Sequence, residues 1–180
     1  MYYETMQEKI NTKNGTVGVI GLGYVGLPLA IEFAEAGYNV IGFDIHAGKV
    51  NQLMQGDSYI IDITNQKLAT VVQSAHFTPT TDFSKLSEVD AVCICVPTPL
   101  TKSQEPDMSY IIAAVTEIKR YMKPGMLITL ESTTYPGTTE ELIQAEIEAL
   151  GYRVGEDFFL CFSPERVDPG NKTFQTKNTP

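Results

Sequence analysis

The 180-residue sequence predicts an α/β fold: a doubly wound, mostly parallel sheet with helices on both faces. Three observations carry that prediction. Strand-like apolar runs alternate with helical patterns along the chain. One run, Ala91 to Val96, is apolar throughout, as a parallel strand covered on both faces must be. The first run, Thr16 to Ile20, leads through a glycine-rich turn directly into a helix.

The elements follow in order. Met1 to Asn14 is polar, mixed in charge and lacks the apolar centre of a signal peptide, so residues 1–14 read as a flexible N-terminal tail before a domain spanning 15–180. The opening strand Thr16–Ile20, the turn Gly21–Gly26 and a helix lead to a second strand, Asn39–Phe43, which ends at Asp44. Helical stretches at Gly48–Met54 and Gln66–Gln73 flank a connecting segment, Asp57–Thr64. A short strand is expected at His76–Pro79 and an acidic turn at Asp82–Asp90. Beyond the apolar strand, Pro97–Met108 is rich in Pro, Thr and Ser and reads as a loop. Apolar residues at helical spacing (Ile111, Ile112, Val115, Ile118, Met122) make Tyr110–Met122 a helix that stops at Pro124-Gly125. Met126–Leu130 is a strand, Thr138–Leu150 a helix ending at Gly151, and Phe158–Phe162 a last strand.

Composition narrows the function classes. Apolar residues make up 43%, which excludes disorder, and no run approaches the roughly 20 apolar residues a membrane span needs. A net charge of −9, from 22 acids against 13 bases, disfavours nucleic acid and anionic membranes as partners. An anionic ligand would have to be held locally, by turns and helix ends. Cys93, Cys95 and Cys161 all sit in apolar runs, and Cys93 and Cys95 are spaced to share one strand face. With His46 and His76 as the only histidines, no zinc set forms, so no metal is expected. Buried free thiols point to a reducing, cytoplasmic compartment.

The turn Gly21-Leu22-Gly23-Tyr24-Val25-Gly26 divides its labour among the glycines. Gly21 permits the tight exit from the strand, Gly23 lets backbone approach a pyrophosphate, and Gly26 lets helix and strand pack closely. The helix that follows offers free N–H groups and the positive end of its dipole to an anion. Asp44 lies near the expected distance of about 20 residues on, where its carboxylate can accept hydrogen bonds from an adenosine ribose. Strand, turn, helix and acid together imply a dinucleotide. Asp44 would repel a 2′-phosphate, so NAD is favoured over NADP, although nearby Lys49 could also reach a ribose or phosphate.

In such sheets ligands lie beyond the carboxyl ends of the strands. Three further strand exits are therefore candidates. Val96-Pro97-Thr98-Pro99 places the Thr98 hydroxyl where the cofactor should run. Glu131-Ser132-Thr133-Thr134 offers several hydroxyls before a helix start capped by Thr138 or Thr139. Ser163-Pro164-Glu165-Arg166 places an acid and a base at the last exit, either a solvated pair or groups for catalysis or phosphate binding.

These motifs, Gly21 to Ala30, Val96 to Pro99, Glu131-Ser132-Thr133 with Pro136 to Thr139, and Ser163 to Gly170, resemble the UDP-glucose/GDP-mannose dehydrogenases over nearly the whole chain. The last motif, with Asp57-Ser58-Tyr59-Ile60, most resembles the branch that oxidises UDP-N-acetylhexosamines, such as UDP-N-acetylglucosamine or UDP-N-acetylmannosamine. The resemblance implies a Rossmann-type NAD-binding domain and oxidation of a sugar C6 alcohol to a carboxylate with two NAD. It implies that Gly21, Gly23, Tyr24, Val25, Gly26, Asp44, Lys49 and Thr98 contact NAD. Thr133 would order the catalytic water and contact nicotinamide, Glu165 would act as general acid/base, and Arg166 would lie toward the substrate. Pro169 stands where UDP-glucose enzymes carry a second glutamate. The family's nucleophilic cysteine, the long helix of its homodimer and its UDP-binding domain come from segments past Pro180, so the chain is expected to be the N-terminal part of a longer enzyme, inactive alone. Two other readings stay open: a stand-alone NAD-binding or regulatory module, and the N-terminal domain of another two-domain dehydrogenase.

Overall fold

A computed structural model describes residues 1–102 and 104–164. Six strands form one sheet: β1 (Thr16–Ile20), β2 (Asn39–Phe43), β3 (Phe77–Thr80), β4 (Ala91–Ile94), β5 (Leu127–Leu130) and β6 (Phe159–Phe162). Their spatial order is β3-β2-β1-β4-β5-β6, and every pairing is parallel. The chain thus winds outward from β1 in one direction, crosses back, and winds outward from β4 in the other.

Side-chain alternation splits the core into two layers. Val17, Val19, Val40, Cys93 and Cys95 face α2 (Gly26–Glu35) and α4 (Asn65–Gln73), while Ile20, Phe43, Val92, Ile94 and Ile128 face α5 (Ser109–Tyr121). Helix α3 (Ala47–Met54) follows β2. A π-type turn, Thr139–Gln144, continues as α6 (Ala145–Glu148) and buries Ile143 and Ile147 against the α5 layer. Phe43, Phe77 and Phe158 are fully buried, each worth about 2–3 kcal/mol of transfer free energy. Cys93 and Cys95 share one face, as their spacing requires. Cys161, expected to be buried, is exposed, because it lies at the end of the edge strand β6.

The segment expected as a flexible tail is instead a helix, α1 (Tyr2–Thr12). Its composition misled because it carries no wide apolar stripe; Met6 is its one buried residue. It is held through polar ends. Tyr38 donates its hydroxyl to the Ile10 carbonyl (2.9 Å), Lys13 Nζ donates to the Ala36 carbonyl (2.7 Å), and the Tyr3 ring meets Phe159 edge-on at 6.0 Å. Asp90 anchors the assembly: its carboxylate accepts from Lys9 Nζ (2.7 Å), Lys123 Nζ (2.9 Å) and the Thr16 N–H (2.9 Å).

Burial alone would push the Asp90 carboxyl up, but the Lys9 ammonium, the Thr16 N–H and Lys123 outweigh it and hold the carboxyl below its ordinary range. A depressed folded-state pKa gives stability that is complete above the unfolded value, about 3.9, and is lost as pH falls through the folded value. Asp90→Asn is therefore expected to cost about 2 kcal/mol at neutral pH, the scale of hydrogen bonds to a charge, and nothing in strong acid. Denaturant melts at both pH values check this. Equal stability of the two proteins at pH 7 would refute the anchor.

Candidate functional site

The glycine turn lies where β1 and β4 diverge in connection, with α2 on one face of the sheet and α5 on the other, the switch point at whose carboxyl ends sheets of this topology bind ligands. Its three glycines stand in different surroundings. Gly21 has φ +94°, and its N–H donates to the Phe43 carbonyl at 2.8 Å; a Cβ there would also sit 2.6 Å from the Cys95 carbonyl oxygen. A Cβ on Gly26 would lie 1.8 Å from the Gly21 carbonyl oxygen. A Cβ on Gly23 would meet nothing within 4 Å. Close packing explains Gly21 and Gly26 but not Gly23, whose bare face is open space.

The N–H groups of Gly23, Tyr24 and Val25 take no backbone partner among the described residues. Helix α2 has no acidic residue in its first turn and no side-chain cap. Its uncapped N-terminus is therefore available to an anion, with no carboxylate in its own first turn competing for it.

Asp44 closes β2 on one flank. It is buried, and both its oxygens are already engaged: Oδ2 accepts from the Leu22 N–H (3.1 Å) and Oδ1 from the His46 N–H (2.9 Å). Each oxygen keeps further lone-pair capacity, so the carboxylate is oriented without being exhausted. Lys49 Nζ stands 4.0 Å from Asp44 Oδ2 and over the Tyr59 ring, 5.6 Å from its centroid. Exposed Tyr24 and half-buried Val25 complete the turn.

On the other flank, Thr98 follows β4 and Thr133 follows β5. The Thr98 hydroxyl donates to the Thr133 carbonyl at 2.7 Å and ties the two exits together. Among the described residues the Thr133 hydroxyl takes no partner and faces solvent. The neighbouring hydroxyls do not share that freedom. Ser132 is buried and donates to the Ile94 and Val96 carbonyls, and Thr134 and Thr138 bond one another, with Thr138 donating to the Tyr135 carbonyl. Thr138 makes no side-chain cap. The cluster is thus mainly structural, with Thr133 as its free member. Glu165 and Arg166 lie outside the described residues.

Asp44, the glycine turn, Thr98 and Thr133 follow one another along the ends of β2, β1, β4 and β5. That is three strand spacings, about 14 Å, room for an extended dinucleotide. Sequence reasoning missed Tyr59, whose hydroxyl donates to the Leu22 carbonyl at 2.5 Å. No spacing rule signals it, since it returns to the turn from a loop 37 residues downstream.

The residues present fit NAD: an open place beside Gly23, N–H groups at a helix start with no backbone partner among the described residues, and an oriented acid at the end of β2. The comparisons with known proteins agree. Residues 15–180 match the UDP-glucose/GDP-mannose dehydrogenase family, NAD binding domain. The UDP-N-acetyl-D-glucosamine 6-dehydrogenase of Pseudomonas aeruginosa is 37% identical over 161 residues, covering 89% of this chain and 37% of that protein. The solved structure of a UDP-N-acetyl-mannosamine dehydrogenase from Pyrococcus horikoshii superposes with a TM-score of 0.82 at 37% identity, over 86% of this chain and 37% of the other. For the UDP-N-acetyl-mannosamine dehydrogenase Cap5O of S. aureus the TM-score is 0.81 at 34% identity, over 86% and 37%. The chain spans little more than a third of the length of these relatives. The chain belongs to the UDP-glucose/GDP-mannose dehydrogenase family and is its NAD-binding domain.

Proposed function

We propose that this domain is the cofactor half of a nucleotide-sugar 6-dehydrogenase that oxidises the C6 alcohol of a UDP-N-acetylhexosamine to the uronate with two NAD. The observation that carries the cofactor site is Gly23, a glycine that no packing contact requires, standing beside N–H groups with no backbone partner among the described residues. The names of the relatives support the sugar class.

When bound, NAD supplies the hydride acceptor; alcohol to carboxylate releases four electrons, hence two equivalents, with water providing the second oxygen. The chain's own residues then have separable tasks. Gly23, Tyr24 and Val25 present N–H donors to the diphosphate, with Gly21 and Gly26 setting the turn that aims them. Asp44 accepts from the adenosine ribose, and Lys49 lies beside it for the ribose or a phosphate. Thr98 holds the Thr133 main chain, leaving the Thr133 hydroxyl to contact nicotinamide and orient water. Glu165 takes the general acid/base role and Arg166 the substrate side. The active protein is a cytoplasmic homodimer, its cofactor domain being residues 15–180, with no nucleic-acid or membrane partner. No helix among the described residues is long and apolar enough to cross a membrane.

The test is NADH formation by the full-length protein on UDP-N-acetylglucosamine, UDP-N-acetylmannosamine and UDP-glucose. Two NADH per sugar are expected on an acetylated substrate and little on UDP-glucose. No turnover on any nucleotide sugar would sink the reading.

A further inference from the structure

Leu22, the second residue of the glycine turn, is held at three points. Its N–H donates to Asp44 Oδ2 (3.1 Å), its carbonyl accepts from the Tyr59 hydroxyl (2.5 Å), and its side chain is fully buried beside Gly42. The carbonyl matters most, because it shares a peptide plane with the Gly23 N–H. No described peptide bond is cis, so in this plane C=O and N–H point in opposite directions. A Leu22 carbonyl turned toward Tyr59 fixes the Gly23 N–H on the side away from Tyr59. Were the plane to flip, a carbonyl oxygen would take the place of that N–H, and a diphosphate would meet a negative dipole. Glycine on the C-terminal side of the plane makes such a flip cheap, since it tolerates both signs of φ. Something must oppose it.

We propose that Tyr59 is a positioning residue for the cofactor, latching the Leu22–Gly23 peptide with its N–H toward the diphosphate and seating the Lys49 ammonium over its ring.

The loop that carries Tyr59 is built to hold still. Asn65 reaches back across it, accepting from the Ser58 N–H (2.9 Å) and donating to Asp57 (3.1 Å); the Ser58 hydroxyl pairs with the Ile60 main chain, and Ile60 and Ile63 are buried on either side. Burial first, and the Asp44 carboxylate second, push the Tyr59 hydroxyl pKa upward, so it remains a donor across the whole neutral range. Its ring also lies under Lys49 Nζ at 5.6 Å, a cation–π distance that keeps the ammonium beside Asp44. One side chain thus sets a donor of the turn and the ammonium that stands beside Asp44.

This inference rests on the cofactor site read above, and the experiment separates the two. Tyr59→Phe keeps the ring and removes the hydroxyl. In the full-length protein it is expected to weaken NAD and ADP-ribose about fivefold to tenfold by calorimetry, the scale of one lost hydrogen bond. Adenosine, which has no diphosphate, should bind as before. Tyr59→Leu, which also removes the platform under Lys49, should lose more. A purely structural role would lower the unliganded melting temperature and weaken all three ligands together. In the unaltered protein, NAD should slow exchange of the Gly23 amide, a readout that needs no variant to fold. Wild-type NAD affinity in Tyr59→Phe, or equal losses for NAD and adenosine, would overturn the latch. If Gly23→Ala also leaves NAD affinity untouched, the crevice itself has been misplaced, and the latch falls with it.

Discussion

Replacing Gly26 by alanine is expected to cost the protein about 3 kcal/mol or more of stability, the range reserved for severe core or backbone strain. The added Cβ would stand 1.8 Å from the Gly21 carbonyl oxygen and 3.0 Å from the Cys95 Cβ. Neither neighbour can step aside. The first is main chain in a residue with φ +94°, and the second is a buried side chain just past the end of β4. Alanine is otherwise the better helix residue by up to about 1 kcal/mol, so the whole loss reports the clash. For a domain of this size the melting temperature should fall by about 10 °C. A Gly26→Ala protein that melts at or above the unaltered one would mean that α2 does not rest on the β1 exit.

That contact also shows which parts of the fold could be read from sequence. The turn was legible because its needs are local: a left-handed exit at Gly21, contact at Gly26, and a strand and helix in fixed order on either side. The continuous apolar run Ala91 to Val96 and the Pro124-Gly125 stop were legible for the same reason. What stayed hidden depends on partners far along the chain. Helix α1 is held by Asp90, Ala36 and Tyr38, residues that no window around Met6 contains. Cys161 sits in a run as apolar as that of Cys93, yet β6 is an edge and β4 is central. Among the hydroxyls after β5, composition suggested a ligand-binding cluster. Only the geometry separates Ser132, Thr134 and Thr138, which satisfy carbonyls or one another, from Thr133. Tyr59 is the plainest case: its segment carries part of the resemblance, but its neighbour in space is Leu22, and no sequence pattern announces that contact.

Gly23→Ala should part binding from folding. Its φ lies outside the left-handed region and its Cβ would meet nothing within 4 Å, so alanine fits both backbone and space. Restricting the unfolded chain should even raise stability by about 0.4–1 kcal/mol. In the proposed binding mode the same methyl obstructs, because it fills open space that the diphosphate would use to approach the main-chain donors. Losing one charge-assisted hydrogen bond there is worth about 2 kcal/mol, roughly a thirtyfold weaker NAD complex. Calorimetry with NAD, beside a thermal melt without it, measures both axes on one sample. The signs are expected to oppose each other in Gly23→Ala and to agree in Gly26→Ala, where the turn itself is displaced and binding falls with stability. Unchanged NAD affinity in a stable Gly23→Ala protein would mean that the diphosphate does not lie against this turn. The free space beside Gly23 would then be only a gap, and Asp44, Lys49, Thr98 and Thr133 would need a different ligand to explain their alignment.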